Sequence, residues 1–301
     1  MVRAGSVIKL EASAKINLTL EILGKRPDGY HELRSIVMPV SLTDTLTLTS
    51  TYAQTAMTIT VSPGVDLTKI GSVDRNLAVR AARLMQARYR VNAGARIHIH
   101  KRIPIGGGLG GGSADAAGVI RGLDRLWELG LPRDELMALG AELGSDVPAL
   151  VHGGAVLMAG RGELVSGLFG DAPPESCEGF WLLIANPGVM CPTPDVFKKW
   201  RGGLTAPPSI LHNMASSIRT SDVSAAADAL YNGLQPGVFE SYPDVAQTAA
   251  RLHEAGCLGV LLSGSGASVF GLARDEAHGQ EISQKLGSGL WHVLVHTCPV
   301  V

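Results

Sequence analysis

No apolar run in this 301-residue chain reaches the ~18 residues that a membrane-spanning helix needs. Arg3, Lys9, Glu11 and Lys15 break up the N-terminal stretch, which speaks against a signal-peptide core. Cysteine is scarce and scattered: Cys177, Cys191, Cys257 and Cys298 form no C-x-x-C pair. That argues against a zinc site or a disulfide framework and agrees with a reducing cytoplasm. Charge of one sign is lacking too, since 26 Lys+Arg against 27 Asp+Glu leave a net charge of −1. No global basic field draws nucleic acid or anionic lipid, so the expected partner is a small molecule, with no nucleic acid and no membrane. Internal repeats and low-complexity tracts are absent. With 46% apolar and 18% charged residues the chain reads as globular. Its length suits about two domains at ~100–200 residues each. What it has in excess is glycine, 37 residues, much of it gathered in a few loops.

Residues 7–23 alternate, with Ala14, Ile16, Leu18, Leu20 and Ile22 on one face and Lys15, Asn17, Thr19 and Glu21 on the other, which predicts a half-buried strand. A turn over Gly24–Gly29 leads into Tyr30 and His31, and Thr43 to Val61 alternates again. Helical spacing covers Asp74–Arg90, and Ala95–His100 predicts a strand with Ile97 and Ile99 opposed to His98 and His100. Ser113–Trp127 predicts a helix with Ser113 as its N-cap, and Pro132 opens another that Gly144 closes. The pattern breaks near 166–180, a domain-boundary signal that divides the chain into 1–165 and 166–301. Beyond it come a strand at Phe180–Ala185, helices near 194–200, 209–219, 222–233 and 243–255, a hairpin over Gly259–Ala273, a helix at 275–287 and a strand at 290–296. Two α+β domains of mostly antiparallel sheet fit this order better than regular βαβ alternation.

The strongest signal is the run Pro104, Ile105, Gly106, Gly107, Gly108, Leu109, Gly110, Gly111, Gly112, Ser113, Ala114. Six glycines in seven positions are costly in chain entropy and make sense where a ligand approaches the backbone closely. The loop runs straight into a helix start, whose free N–H groups and positive dipole end favour an anion, usually phosphate. Gly106-x-Gly108-x-x-Gly111 matches the dinucleotide fingerprint only as a spacing. The preceding strand alternates Ile and His, and five residues, Lys101–Ile105, intervene, so a parallel dinucleotide-binding unit is excluded. A P-loop needs Gly-Lys-Ser/Thr, which is absent here.

Pro104-x-x-x-Gly-Leu-Gly followed by small residues and Ala116-Ala117 resembles the ATP loop of the GHMP kinases, the family of galactokinase and the homoserine, mevalonate and phosphomevalonate kinases. Three further segments agree in order with one branch: Ala14–Leu18 with Arg26–His31, then Gly144–Pro148, then Leu262–Ser268. The resemblance implies a two-domain α+β fold, with a ribosomal protein S5 domain 2-like N-terminal domain and a ferredoxin-like C-terminal domain. It implies an ATP-dependent kinase for an alcohol that carries a cytidine diphosphate group, on a route to isoprenoids, cytoplasmic, and a monomer or weak homodimer. Nucleotide and acceptor would meet in the cleft between the domains.

Pattern alone favours a solvated strand face for Lys15 and Asn17, and it leaves open whether Asp146 only caps a helix beginning at Val147-Pro148 and whether Tyr30 and His31 are an ordinary aromatic pair beside a loop. The resemblance gives them other work. Asp146 would accept the proton of the attacking hydroxyl, while Lys15 orients it. Asn17 would bond the substrate nearby, Tyr30 stack on cytosine, His31 bond its edge and Phe197 form the second face of the sandwich. Mg2+ is implied by ATP chemistry, held chiefly through phosphate oxygens with the Ser113 hydroxyl contributing. Gly264 and Gly266 suit a hairpin bend on φ alone, and the family places this turn beside the cleft. His98 and His100 read as surface or packing residues. Two departures stand out: Ser13 where the family often has Pro, and Ala114 where a second Ser is frequent. The rival readings are a sibling kinase for homoserine or mevalonate, which need no base-stacking residues, and a non-catalytic nucleotide sensor.

Overall fold

The computed structural model describes residues 5–170, 177–202 and 206–298. In chain order the elements begin with strands β1 (Val7–Asn17), β2 (Thr19–Lys25), β3 (His31–Thr51) and β4 (Ala56–Val61). Helix α1 (Leu77–Tyr89), strand β5 (Gly94–Lys101) and helices α2 (Gly111–Leu126), α3 (Arg133–Leu143) and α4 (Val147–His152) follow. Then come β6 (Val156–Gly160), β7 (Leu164–Gly167), β8 (Trp181–Asn186), α5 (Thr193–Lys199), α6 (Ile210–Thr220) and α7 (Val223–Asp228). The chain ends with β9 (Tyr231–Asn232), α8 (Gln235–Ser241), α9 (Pro243–Ala255), β10 (Val260–Leu262), β11 (Val269–Ala273), α10 (Glu276–Leu286) and β12 (Trp291–His296). Helices and strands are mixed throughout, as expected of an α+β fold.

Two compact units share these elements. The first holds Met1–Ala14, Leu42–Ile105 and Gly110–His152; the second holds Lys15–Ser41, Gly106–Leu109 and Gly153–Val301. In the first unit the later part of β3 pairs antiparallel with β5, and β5 pairs parallel with β4. Helix α1 starts at an Asn76 cap whose Oδ1 accepts from Ala78 N at 2.9 Å. Helix α2 lies close to the strands because it carries no side chain at Gly118 and Gly122, where a Cβ would press on Leu10, Leu46 and Leu48. Ala116, Ala117, Ile120 and Leu123 of α2 are fully buried, as are Leu46, Ile99 and Ala95 of the strands. Apolar burial of this kind is the main stabilising term, at ~25 cal/mol per Å².

In the second unit β2 pairs antiparallel with the start of β3, which pairs antiparallel with β6, and β6 with β7. β2 also pairs parallel with the short β9. The remaining strands form an antiparallel sheet in the order β10-β11-β8-β12. With helices between β8 and β10 and α10 between β11 and β12, this is the β-α-β-β-α-β arrangement of ferredoxin-like domains. Leu183, Val245, Leu252, Leu262, Val269 and Ile282 fill its core.

Several details differ from the sequence reading. The strand expected over 7–23 is two strands, broken at Leu18, whose N–H still bonds the Ile36 carbonyl at 2.9 Å. The helix expected over 222–233 ends at Asp228, because Tyr231 and Asn232 leave it to pair with Thr19 and Leu20. Ser113 is not the N-cap of α2. Gly110 holds that place with φ 69° and ψ 17°, a left-handed conformation that glycine adopts without strain, and Ser113 lies inside the first turn. Residues 171–176, the Pro-rich part of the segment that signals a boundary, lie outside the described residues.

Candidate active site

Lys15 and Asn17 end β1, and neither is solvated: each is only 4% exposed. The outward face of β1 is open at Val7, Lys9 and Glu11, half-buried at Ser13 and closed at Lys15 and Asn17, so the alternation that reads as a wet face becomes a buried polar one. Lys15 Nζ donates to Asn17 Oδ1 at 2.7 Å, and Asn17 Nδ2 donates to Ser35 Oγ at 2.8 Å. Ser35 Oγ donates in turn to the Thr19 carbonyl. The chain orients the Lys15 ammonium through three linked polar groups, as a buried charge requires.

The glycine loop reaches the same place. Lys15 N donates to the Leu109 carbonyl at 3.0 Å, and Ser268 N donates to the Gly107 carbonyl at 3.0 Å. Gly108 has φ +76°, and a Cβ there would run into the carbonyl oxygens of Ser263 and Gly266. Ser263 Oγ donates to the Gly108 carbonyl at 3.1 Å. A Cβ on Gly264 would sit 3.3 Å from Lys15 Nζ and 3.4 Å from Asn17 Oδ1. The second glycine turn thus lies against Lys15, Asn17 and Gly108.

Side chains with no local signature hold that turn. Asn232 Nδ2 donates to the Leu262 and Gly264 carbonyls, Asn186 Nδ2 donates to Ser268 Oγ, and Thr193 and Ser265 share a 2.8 Å hydroxyl bond. None of these stood out in the sequence, because each partner is at least 30 residues away.

His31, Tyr30 and Phe197 belong to this unit as well. The turn before them is fixed by Arg26 N bonding the Tyr30 carbonyl at 2.7 Å and by Asp28 Oδ1 accepting from Tyr30 N at 3.1 Å. The His31 ring lies 5.3 Å from the Phe197 ring and 5.4 Å, edge-on, from the Trp200 ring. Burial, and then the charge of Lys25, hold the His31 imidazole below its ordinary pKa, which favours the neutral form. Tyr30 is 53% exposed, with the Arg161 guanidinium 5.1 Å from its ring centre. Trp200 and Arg161 are additions to the residues that sequence reasoning selected.

The other unit carries Pro104, Ile105 and Gly110–Ala114. No side chain caps α2, and Ala114 N bonds the Gly110 carbonyl at 2.8 Å. The N–H groups of Gly111, Gly112 and Ser113 precede that bond, at the end of the helix where a phosphate is best received. Asp146 is half-buried just before α4, and its carbonyl accepts from Leu150 N at 3.3 Å. His98 and His100 bond Thr58, Thr60 and Ser62 of or beside β4.

The chain is similar to known proteins along most of its length. The model of the GHMP kinases N terminal domain matches residues 76–154, and that of the GHMP kinases C terminal domain matches 214–290. A 4-diphosphocytidyl-2-C-methyl-D-erythritol kinase of Gloeobacter violaceus is 40% identical over 280 residues, covering 91% of this chain and 88% of its own. The enzyme of that name from Brevibacillus brevis is 41% identical over 270 residues, covering 90% and 89%. A crystal structure of 4-(cytidine 5'-diphospho)-2C-methyl-D-erythritol kinase superposes with a TM-score of 0.76 at 30% identity, over 96% of this chain and 99% of that one. Homoserine kinase from Cytophaga hutchinsonii shares the fold, with a TM-score of 0.73 at 17% identity over 97% and 95%. By matched domains, extent of identity and fold, the chain belongs to the GHMP kinase family, in the branch of the 4-diphosphocytidyl-2-C-methyl-D-erythritol kinases.

Proposed function

We propose that this chain transfers the γ-phosphoryl group of ATP to the 2-hydroxyl of 4-diphosphocytidyl-2-C-methyl-D-erythritol, in non-mevalonate isoprenoid synthesis in the cytoplasm. The observation that carries this reading is a pairing within one unit. Lys15, Asn17, Gly108 and Gly264 converge there, and the same unit gathers His31, Phe197 and Trp200 into a ring cluster. The first group suits phosphoryl transfer; the second suits a base.

Phosphoryl transfer calls mainly for positioning and charge stabilisation. The side-chain-free backbone of Gly106–Gly108 and the first turn of α2 would cradle the polyphosphate. Lys15, steered by Asn17, would orient the acceptor hydroxyl and spread the charge that develops on it. Asp146 would take the hydroxyl proton as its oxygen bonds the γ-phosphorus and the bond to ADP breaks, a role worth ~10²–10⁴-fold. Tyr30 would stack on the cytosine at ~1–3 kcal/mol, Phe197 would face it from the other side, and the neutral His31 imidazole would bond its edge.

Mg2+ would be held chiefly by phosphate oxygens, with the Ser113 hydroxyl as the protein's share; among the described residues no three His, Cys, Asp or Glu gather to hold a metal. When bound, the ion neutralises charge on the β- and γ-phosphates.

An ADP-release assay tests the reading with the cytidine substrate, homoserine and mevalonate in parallel. Release with the cytidine substrate alone is expected. Equal release with homoserine or mevalonate would indicate a sibling kinase, and no release with any of them a nucleotide sensor. Asp146→Asn should bind ADP as wild type and lose turnover by ~10²-fold or more; near-normal turnover contradicts its role as base.

A further inference from the structure

We infer that Lys101, held between Asp44 and Asp115, is a positioning residue that clamps the chain on both sides of the Gly106–Leu109 segment and so sets the geometry of the phosphate loop. All three residues belong to the first unit, and none is used by the chemistry above. Lys101 ends β5, and its Nζ donates to Asp44 Oδ2 at 2.5 Å and to Asp115 Oδ2 at 2.7 Å. Asp44 is fully buried, Asp115 2% exposed and Lys101 5% exposed.

Asp44 holds the approach to the loop. Its Oδ1 accepts from Arg102 N at 2.5 Å and Ile103 N at 2.9 Å, the first residues after β5. Asp115 holds the exit, because it is the fifth residue of α2. Lys101 joins the two. A Cβ on Gly111 would lie 2.9 Å from Ile103 Cγ2 and 3.5 Å from Lys101 Nζ, so the first turn of α2 packs directly on the ammonium and on the strap that Arg102 and Ile103 form after β5.

Stability is a poor reason for such a cluster. Two carboxylates share one ammonium in the interior, and Asp115 Oδ1 has no hydrogen-bond partner. Burial, and then the charge of Asp44, push the Asp115 carboxyl above the usual range against the pull of Lys101. Buried ion groups of this kind are often matched or bettered by apolar packing. What an apolar trio lacks is direction: one ammonium with two fixed acceptors specifies a single register between strap and helix. The α2 N–H groups then meet a phosphate without first being ordered, which is how pre-organisation raises affinity.

The inference rests on the glycine loop being the nucleotide site, and the test separates the two. ADP affinity is measured by calorimetry, with melting temperature alongside, for wild type, Lys101→Met, Asp115→Asn and Leu139→Ala, a fully buried α3 residue that serves as a general core lesion. Lys101→Met should weaken ADP about tenfold or more while leaving affinity for the cytidine substrate unchanged. Asp115→Asn keeps an acceptor for Lys101 and should bind ADP within about threefold of wild type, as should Leu139→Ala. Lys101→Met with wild-type ADP affinity overturns the clamp alone. So does Leu139→Ala or Asp115→Asn losing ADP as far as Lys101→Met. Wild type that binds no ADP overturns the kinase reading and the clamp together. Should Lys101→Met not fold, Asp44→Asn, which turns an N–H toward the ammonium, should show the same selective loss, and wild-type ADP affinity there overturns the clamp equally.

Discussion

Replacing Gly108 with alanine separates two effects that a single glycine combines. The φ of +76° is one that L-residues adopt only at a cost of ~1–2 kcal/mol. Gly202 has the same φ of +76° with nothing within 4 Å of where an added methyl would stand, so Gly202→Ala measures that cost alone. At Gly108 the added methyl also meets the carbonyl oxygens of Ser263 and Gly266, which are backbone and cannot rotate away. Overpacking of this sort costs ~1–3 kcal/mol more. Gly202→Ala should therefore lower the melting temperature by a few degrees, at ~2–4 °C per kcal/mol, and leave ADP binding intact. Gly108→Ala should fall about twice as far and weaken ADP at least tenfold, because relief of the clash moves the loop away from Ser263. Differential scanning fluorimetry and ADP titration on both variants decide it. Equal melting and equal ADP affinity for the two would refute the claim that Gly108 is glycine because backbone passes over it.

Tyr30→Ala should raise KM for the cytidine substrate about fivefold to a hundredfold, from ~1–3 kcal/mol of lost stacking, with KM for ATP almost unchanged; an equal rise in both would show a folding role. Because His31 is held below the ordinary imidazole value of about 6.5, the folded state prefers it neutral. Its contribution is therefore complete above that value and is lost as pH falls through the lower folded pKa. Substrate affinity and stability should both decline in that acid window, and an NMR titration placing the His31 midpoint above 6.5 would contradict this. Burial raises all four thiols, Cys191 to about 11 and Cys257 to about 12. At pH 8 the native protein should react slowly with a thiol-exchange reagent and release four equivalents only on unfolding, and fast native labelling of Cys257 would refute its burial.

What was legible in the chain was local. The glycine loop, the helix after it, the strand alternation at Ala14–Ile22 and the position of Asp146 before α4 each follow from residues within a few positions of one another. The misreadings share a long-range cause. Lys15 and Asn17 look like a wet face because nothing nearby shows that Ser35 and Gly264 cover them. The helix over 222–233 looks continuous because its competitor, pairing with Thr19 and Leu20, lies two hundred residues upstream. Ser113 looks like a cap because serine is a good one, yet Gly110 reaches the left-handed conformation first. Trp200 and Arg161 gave no signal, since only the fold sets them beside His31 and Tyr30. Asp44 left a faint trace, an acid within a Thr-rich alternating stretch, whose partners Lys101 and Ile103 are 57 and 59 residues on.

The membership of the second unit has a consequence for how the protein is made. Lys15–Ser41 leaves the ribosome some 255 residues ahead of its closing partners: Thr297 bridges Val40, Cys298 N bonds the Pro39 carbonyl and His296 N bonds Ser41 Oγ. At ~5–20 residues per second the amino-terminal hairpin waits on the order of tens of seconds for them. Throughout that interval the nascent polypeptide displays a sticky ribbon, so chaperone capture is to be expected during translation. Loss of Thr297 and Cys298 would remove more than a tail, freeing Pro39 and Val40 in the segment whose Ser35 braces Asn17 and, through it, Lys15.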